Sequence, residues 1–331
     1  MMSIAAPEQF GLFGDIAPLP ALRLPTANAE ALPEWSYSRR GLFEQCLRAY
    51  YYRYYGAKAG TAKNEPLKAE LRFLKSLSNR HLRAGELLHL VIRTYFKKLA
   101  GGEDWTADQL VRWATEMYRR DLAFSKEFQR SRTSPVGDGR AKLLAEFYAG
   151  RPDAETLWQE SLDKLCHALR TFRNHPSLEQ IRYAAKQTGV LVEETVRLKE
   201  PGLRLKGQID FAYATTGRAT IVDWKIGDSS GSEDNLQLLS YALAAMQKFN
   251  GAPDQIDLYV VYLGDGTMQH HLVNECEVNR AKGRIRQDTQ RMLTMDWYGR
   301  EALAEAFTPC AQKRICEFCP YSSVCPGSSN L

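Results

Sequence analysis

Apolar positions change their spacing twice along the chain. From about residue 35 to residue 180 they recur at the three-to-four spacing of amphipathic helices. "SYSRRGLFEQCLRAYYYRYYG" (36–56) reads as one helix, with Ser38 as N-cap and Gly56 as its stop. Residues 66–130 continue the helical period, and Thr106 with Gln109 forms a capping-box pattern ahead of "LVRWATEMY". "SRTSPVGDGR" (131–140) is a loop, and helix resumes in "KLLAEFYAG" and "DAETLWQESLDKLCHALRTF". The period then shortens. "GVLVEETVRL", "LRLKGQIDFAYA" and "ATIVDWKIG" are short, β-branched runs bounded by Gly or Pro. "SEDNLQLLSYALAAMQKFN" returns to helix with Ser232 as N-cap. "QIDLYVVYLGDGTMQHHLV" reads as strand, Asp-Gly turn, strand, and "NRAKGRIRQDTQRMLTMDWYG" as a last long helix. The order predicts an α/β fold: a small sheet flanked by helices, with a helical region ahead of it.

Composition adds little to that picture. Charged residues are 25% and hydrophobic ones 44% of 331 residues, as in ordinary globular proteins. A net charge of +5 permits a nucleic-acid partner without requiring one. Apolar runs are too short for a membrane span, and the N-terminal stretch lacks the basic start of a secretory signal. A cytoplasmic protein with reduced thiols is expected, with residues 1–34 as a flexible arm.

The run "IVDWKIG" poses a chemical question, because a buried strand seldom carries an acid and a base. Alternation puts Asp223 and Lys225 on one face, and Val222, Trp224 and Ile226 on the other. Asp210 lies on the preceding strand, joined by the turn "YATTGRA". Two carboxylates on neighbouring strands can share one divalent cation, and oxygen donors suit Mg²⁺ or Mn²⁺. Lys225 would then hold or activate a water. On Asp-x-Lys alone, a structural ion pair at a sheet edge is the ordinary reading.

The wider pattern changes that weighting. "GQID" followed by "IVDWKIG", "QLLSY" with Gln237 and Tyr241, and "RAGELLH" with Gly85 and His89 occur in one order. Together they resemble the PD-(D/E)XK nuclease superfamily, in its RecB-like branch. The resemblance implies a restriction-endonuclease-like core of a small mixed sheet flanked by helices. It implies metal ligation by His89, Asp210 and Asp223, and catalytic roles for Asp210, Asp223, Lys225, Gln237 and Tyr241. A Glu on the first strand is expected to line the site, and alternation leaves Glu193 and Glu194 as alternatives.

Cys316, Cys319 and Cys325 stand as C-x2-C-x5-C, three thiols short of a fourth ligand. Spacing alone leaves zinc and iron–sulfur equal. "CLRAYYYRYYG" and "RICEFCPYSSVC" resemble the cysteine segments of iron–sulfur nucleases of the AddB and CRISPR-adaptation types. That resemblance implies a structural [4Fe–4S] cluster on Cys46, Cys316, Cys319 and Cys325, with Cys310 as an extra thiol. Cys166 and Cys276 are expected in the core.

The expected organisation is an arm (1–34), a first cysteine helix (35–60), a helical region (61–180), a nuclease core (181–305) and an iron–sulfur segment (306–331). The expected activity is Mg²⁺- or Mn²⁺-dependent DNA hydrolysis, on single strands or as an exonuclease at DNA ends. The partners this suggests are DNA and a helicase, CRISPR-adaptation or defence protein, in repair or antiviral defence. The chain itself has no P-loop motif. The alternative is a catalytically silent DNA-binding subunit that keeps the fold.

Overall fold

The structure, a computed structural model, describes residues 32–58, 65–131, 141–187, 190–215, 217–229, 235–249 and 251–327. The expected loop at 131–140 beyond its first residue, the Ser232 cap and nearly all of the N-terminal arm lie outside them. Five strands form one mixed sheet: β1 (Val190–Glu200), β2 (Leu203–Thr215), β3 (Arg218–Lys225), β4 (Ile256–Tyr262) and β5 (Thr267–Leu272). They lie in sequence order, antiparallel except for β3 and β4. The parallel pair needs a crossover, and the helix α9 (Leu236–Phe249) provides it. The fold is thus the expected α/β arrangement.

Each face of the sheet is covered. On one side, Leu205, Ile209, Ile221 and Leu258 pack with α9 and with the long helix α10 (Glu275–Arg300). On the other, Phe211, Val222, Trp224 and Val261 pack against the helical region. After α1 (Tyr37–Gln45) and α2 (Leu47–Tyr51), that region contains α3 (Glu65–Ser76), α4 (Arg80–Ala100), α5 (Ala107–Ser131), α6 (Ala145–Tyr148), α7 (Ala154–Asn174) and α8 (Glu179–Gln187). The capping box holds: Thr106 N donates to Gln109 Oε1 at 2.7 Å, and Gln109 N to Thr106 Oγ1 at 3.3 Å. A further helix at Glu179–Gln187 has no counterpart in the sequence reading.

The expected single helix over 36–56 is broken. It starts at Tyr37, capped by Ser36 rather than Ser38, and stops at Gln45. Cys46 takes an extended backbone (φ −161°, ψ 112°), and its sulfur accepts from Ala49 N to cap the next helix, Leu47–Tyr51. The chain closes with a π-turn over Tyr52–Gly56. Helical periodicity runs through this break because tyrosines on both sides serve the same core.

A second departure positions the site. Residues on β2 and β3 pair only as far as Phe211↔Val222. Beyond that point the strands diverge, and Asp210 Oδ2 accepts the Trp224 amide at 2.9 Å. Asp210 therefore marks a fork within its strand, and β2 runs on to Thr215, past the start of the expected turn "YATTGRA". The vacated edge of β2 takes up Trp35, which donates to Arg204 O (2.7 Å) and accepts from Lys206 N (2.8 Å). Trp35 is fully buried, and its Nε1 donates to Asp288 Oδ2 on α10 at 3.2 Å. Arg40 Nε lies 3.2 Å from the same oxygen. Removing one partner of a buried ion pair costs about 3–5 kcal/mol. Asp288→Ala is expected to lower stability by about that amount in chemical denaturation, with Trp35 fluorescence reporting loss of the N-terminal segment.

Candidate functional site

The register builds a row of acids across the sheet. Val192↔Phe211 and Glu194↔Ile209 flank Glu193 and Asp210, so these two face each other. One step beyond Phe211↔Val222 sets Asp210 against Asp223. Alternation breaks in this row. Ile209 and Ala212 share one core while Phe211 joins the other. On β1 the break falls at Glu193, whose φ of 53° lies in the left-handed region that non-glycine residues rarely adopt. This strain resolves the choice between the two glutamates. Glu193 turns into the site, and Glu194 turns out to Lys248 at 2.7 Å.

His89 reaches the row from α4. Its Nδ1 lies 3.0 Å from Glu193 Oε1 and 3.5 Å from Asp210 Oδ1. Burial pulls the imidazole down, but its hydrogen bond to Glu193 and the charges of Asp210, Glu193 and Asp223 outweigh burial and push it up to about 9. Burial and then the charge of Asp223 hold the Asp210 carboxyl well above the usual range. Both shifts favour the protonated forms of His89 and Asp210.

Lys225 and Asp223 do share a face, with Nζ 2.8 Å from Oδ2. Gln237 Oε1 accepts from Nζ at 3.1 Å, and Gln237 Nε2 donates to Tyr241 Oη at 2.8 Å. Gln237 and Tyr241 are one helical turn apart on α9, which makes this chain possible. The Tyr241 ring covers Gly207: a Cβ there would meet two ring carbons at 3.2 Å. The glycine of "GQID" therefore leaves room for the tyrosine that holds the glutamine that holds the lysine. Burial, then Asp223 and Asp210, raise the Tyr241 phenol, which stays protonated.

The arrangement fits a divalent cation. His89, Glu193 and Asp210 each offer a ligand atom within 4.8 Å of the others. Asp223, 2% exposed, completes the row. The row gathers three carboxylates with His89 and Lys225, and a dication would take the place of the protons that these shifts favour. Mostly oxygen donors with one imidazole suit Mg²⁺ or Mn²⁺. Glu193 had been only one of two alternatives in the sequence, because left-handed backbone leaves no trace in alternation. A cleft of about 590 Å³, lined by Gly85, His89, Arg93, Gln208 and Tyr241 among others, opens onto the row.

The thiols gather elsewhere. Cys46, Cys310, Cys316, Cys319 and Cys325 line one cavity of about 600 Å³. Cys310 Sγ lies 3.6 Å from Cys316 Sγ, and Cys310 N donates to Cys46 Sγ at 3.4 Å. Among the described residues no three cysteine sulfurs lie within 4.8 Å of one another. Cys166 is buried as expected, whereas Cys276 is exposed on α10 and not in the core. Its place in the first turn of that helix explains this, since the neighbouring Glu275 and Glu277 are also at the surface.

A family model described as the PD-(D/E)XK nuclease superfamily matches residues 34–326. No curated protein matches the chain.

The row makes a direct prediction about metal binding. Mn²⁺ is expected to bind with release of protons, followed by electron paramagnetic resonance and a pH indicator. Asp210→Asn should abolish that binding, and His89→Ala should weaken it by roughly 10–100-fold. Unchanged Mn²⁺ titrations in both variants would remove the row as the metal site.

Proposed function

The chain belongs to the PD-(D/E)XK nuclease superfamily, and from that premise we propose a divalent-cation-dependent deoxyribonuclease of RecB-like type. It hydrolyses phosphodiester bonds in single strands or at DNA ends, as an exonuclease. The observation that carries this reading is the acid row at the sheet fork with Lys225 held beside it. His89, Glu193, Asp210 and Asp223 would hold Mg²⁺ or Mn²⁺. When bound, such a cation polarises the phosphate and lowers the pKa of water. Lys225 orients the attacking water and sets its charge against the negative charge that grows on the phosphate. Gln237 and Tyr241 fix Lys225 without touching the reacting atoms. In the cell, unwinding would fall to a helicase partner, in repair, CRISPR adaptation or phage defence.

We read the thiol cavity as the seat of a [4Fe–4S] cluster on Cys46, Cys316, Cys319 and Cys325. The Cys319 thiol is pushed up to about 12, first by burial and also by the charges of Cys46, Cys325 and Cys316. That grouping supports these four around one centre, with Cys310 beside Cys316. When bound, the cluster supplies a cross-link between the first helix and the C-terminal segment. The residue blocks 35–60, 61–180, 181–305 and 306–331 are then a cysteine-bearing helical segment, a helical region, the core and a closing segment.

Two outcomes test these readings. Lys225→Ala and Asp223→Ala should each lower Mn²⁺-dependent cleavage of end-labelled DNA by at least about 100-fold, with unchanged circular dichroism. A wild-type protein that binds DNA in Ca²⁺ yet never cleaves it would instead mark the silent subunit. Anaerobically purified protein should be brown with four irons per chain. Cys46→Ser should bleach it and Cys310→Ser should not; stoichiometric zinc would refute the cluster.

A further inference from the structure

A second groove meets the acid row from the other side of Tyr241. It holds about 410 Å³ and is walled by Ser36, Ser38, Arg39, Tyr54, Lys206 and Gln208, among others. Gln208 and Tyr241 also line the α4 cleft, so the two recesses share a wall at the site. The groove exists because of the fork. The β2 edge beyond Asp210 is free of β3, and the segment around Trp35 covers only part of it.

Charge in this groove is one-sided. Arg39 is half-buried, and its partners are neutral. Nε and Nη2 donate to Tyr50 Oη at 3.0 and 2.8 Å, and Nη1 to the Glu34 carbonyl at 3.2 Å. The guanidinium lies 4.5 Å over the Tyr54 ring. These contacts use three of the five N–H donors of an arginine and leave one on each terminal nitrogen. Among the described residues, no carboxylate forms an ion pair with Arg39 or with the exposed Lys206. The one acid of the groove, Glu34, lies 3.7 Å from Arg197. A guanidinium fixed in place by neutral partners, with no counter-ion of its own, is complementary to an anion.

We infer that this groove binds backbone phosphates of a single DNA strand on one side of the cleavage point, through Arg39 and Lys206. The inference rests on the nuclease reading above. Its volume is that of a small-molecule pocket, about 300–1,000 Å³, which has room for a nucleotide or two and none for a duplex. The Tyr37 and Tyr54 rings line its wall. Asp223 and Asp210 are 2% and 6% exposed, and these recesses give a scissile phosphate a path to them. A strand passing from the α4 cleft over the row into the fork has Arg93 on one side and Arg39 with Lys206 on the other.

Salt dependence tests this inference. Binding of labelled oligothymidylate would be followed in Ca²⁺ over a range of salt concentrations, with thermal unfolding as the control for folding. Each phosphate contact on a single strand adds about 0.7 to the slope of log affinity against log salt. Lys206→Ala, at an exposed position, is expected to reduce the slope by about 0.7 and affinity roughly tenfold at moderate salt. Arg39→Gln should do the same, and the double variant should lose both. If wild type binds and cleaves single strands while both variants keep the full slope, the groove assignment fails and the nuclease reading stands. If duplex binds more tightly and Lys206→Ala weakens it equally, the single-strand assignment fails. If wild type neither binds nor cleaves DNA, the nuclease reading fails first.

Discussion

Three carboxylates in one transverse row of a covered sheet repel each other, and most of the architecture around them answers that repulsion. A continuous ladder would hold such a row in a dry interior, where unbalanced charge is costly. Here the ladder stops at the row. β2 and β3 part after Phe211↔Val222, and the Asp210 side chain takes over the bond to the Trp224 amide. The fork opens the acids to two recesses and gives His89 and Lys225 access from opposite elements. The left-handed backbone at Glu193 belongs to the same solution, since it turns a third acid inward where regular pleating would turn it away. Strain of this sort costs of order 1–3 kcal/mol and persists where surroundings over-determine it.

A fork also weakens a sheet, and the chain compensates at its two ends. Trp35 fills the edge that β3 abandons, and Asp288 on α10 holds Trp35 and Arg40 together. A few residues later the helix breaks at Cys46 and turns its thiol toward Cys310 and the C-terminal cysteines. Arg48 Nε donates to the Phe307 carbonyl at 2.7 Å, and Tyr52 Oη to the Val324 carbonyl at 3.1 Å. The first helices and the last segment are therefore already joined by direct bonds where the thiols meet. Closing so long a loop costs chain entropy on folding, which these bonds and the packing around them must offset.

How legible this was depended on the kind of information. Strands, the crossover helix and the shared face of Asp223 and Lys225 follow from periods of 2 and 3.6, which local sequence carries well. "GQID" and "QLLSY" pointed to residues that meet in the structure, without saying why they belong together. The reason is a packing relation between Gly207 and Tyr241, 34 positions apart in sequence, and such relations leave no periodic signal. The choice of Glu193 over Glu194 was unreadable for a similar reason, because one left-handed residue inverts an alternation that otherwise looks regular. The break at Cys46 was hidden by tyrosines whose spacing suits a continuous helix. Ser36 competes with Ser38 for the same cap, and only the path of the preceding strand-like segment decides between them.

The helical region explains itself through a single contact line. His89 is bonded to the acid row from a helix that runs for 21 residues. Phe96, two turns further on and on the same face, stacks on Phe211 with ring centres 4.3 Å apart. Phe211 is the residue next to Asp210. Two contacts between α4 and β2, one aromatic and one polar, therefore fix the helix in register with the strand. The other end of α4 is anchored by Arg83, which donates to both oxygens of the fully buried Asp121 at 2.6 and 3.3 Å. Asp121 in turn accepts the Lys142 amide at 2.8 Å, so the segment that follows α5 is tied to the same point. An imidazole on an unanchored helix could not be held within the few tenths of an ångström that metal ligation demands. The bulk of α5 and α7 behind α4 is thus the packing that holds one histidine in place against a strand more than a hundred residues later in the chain.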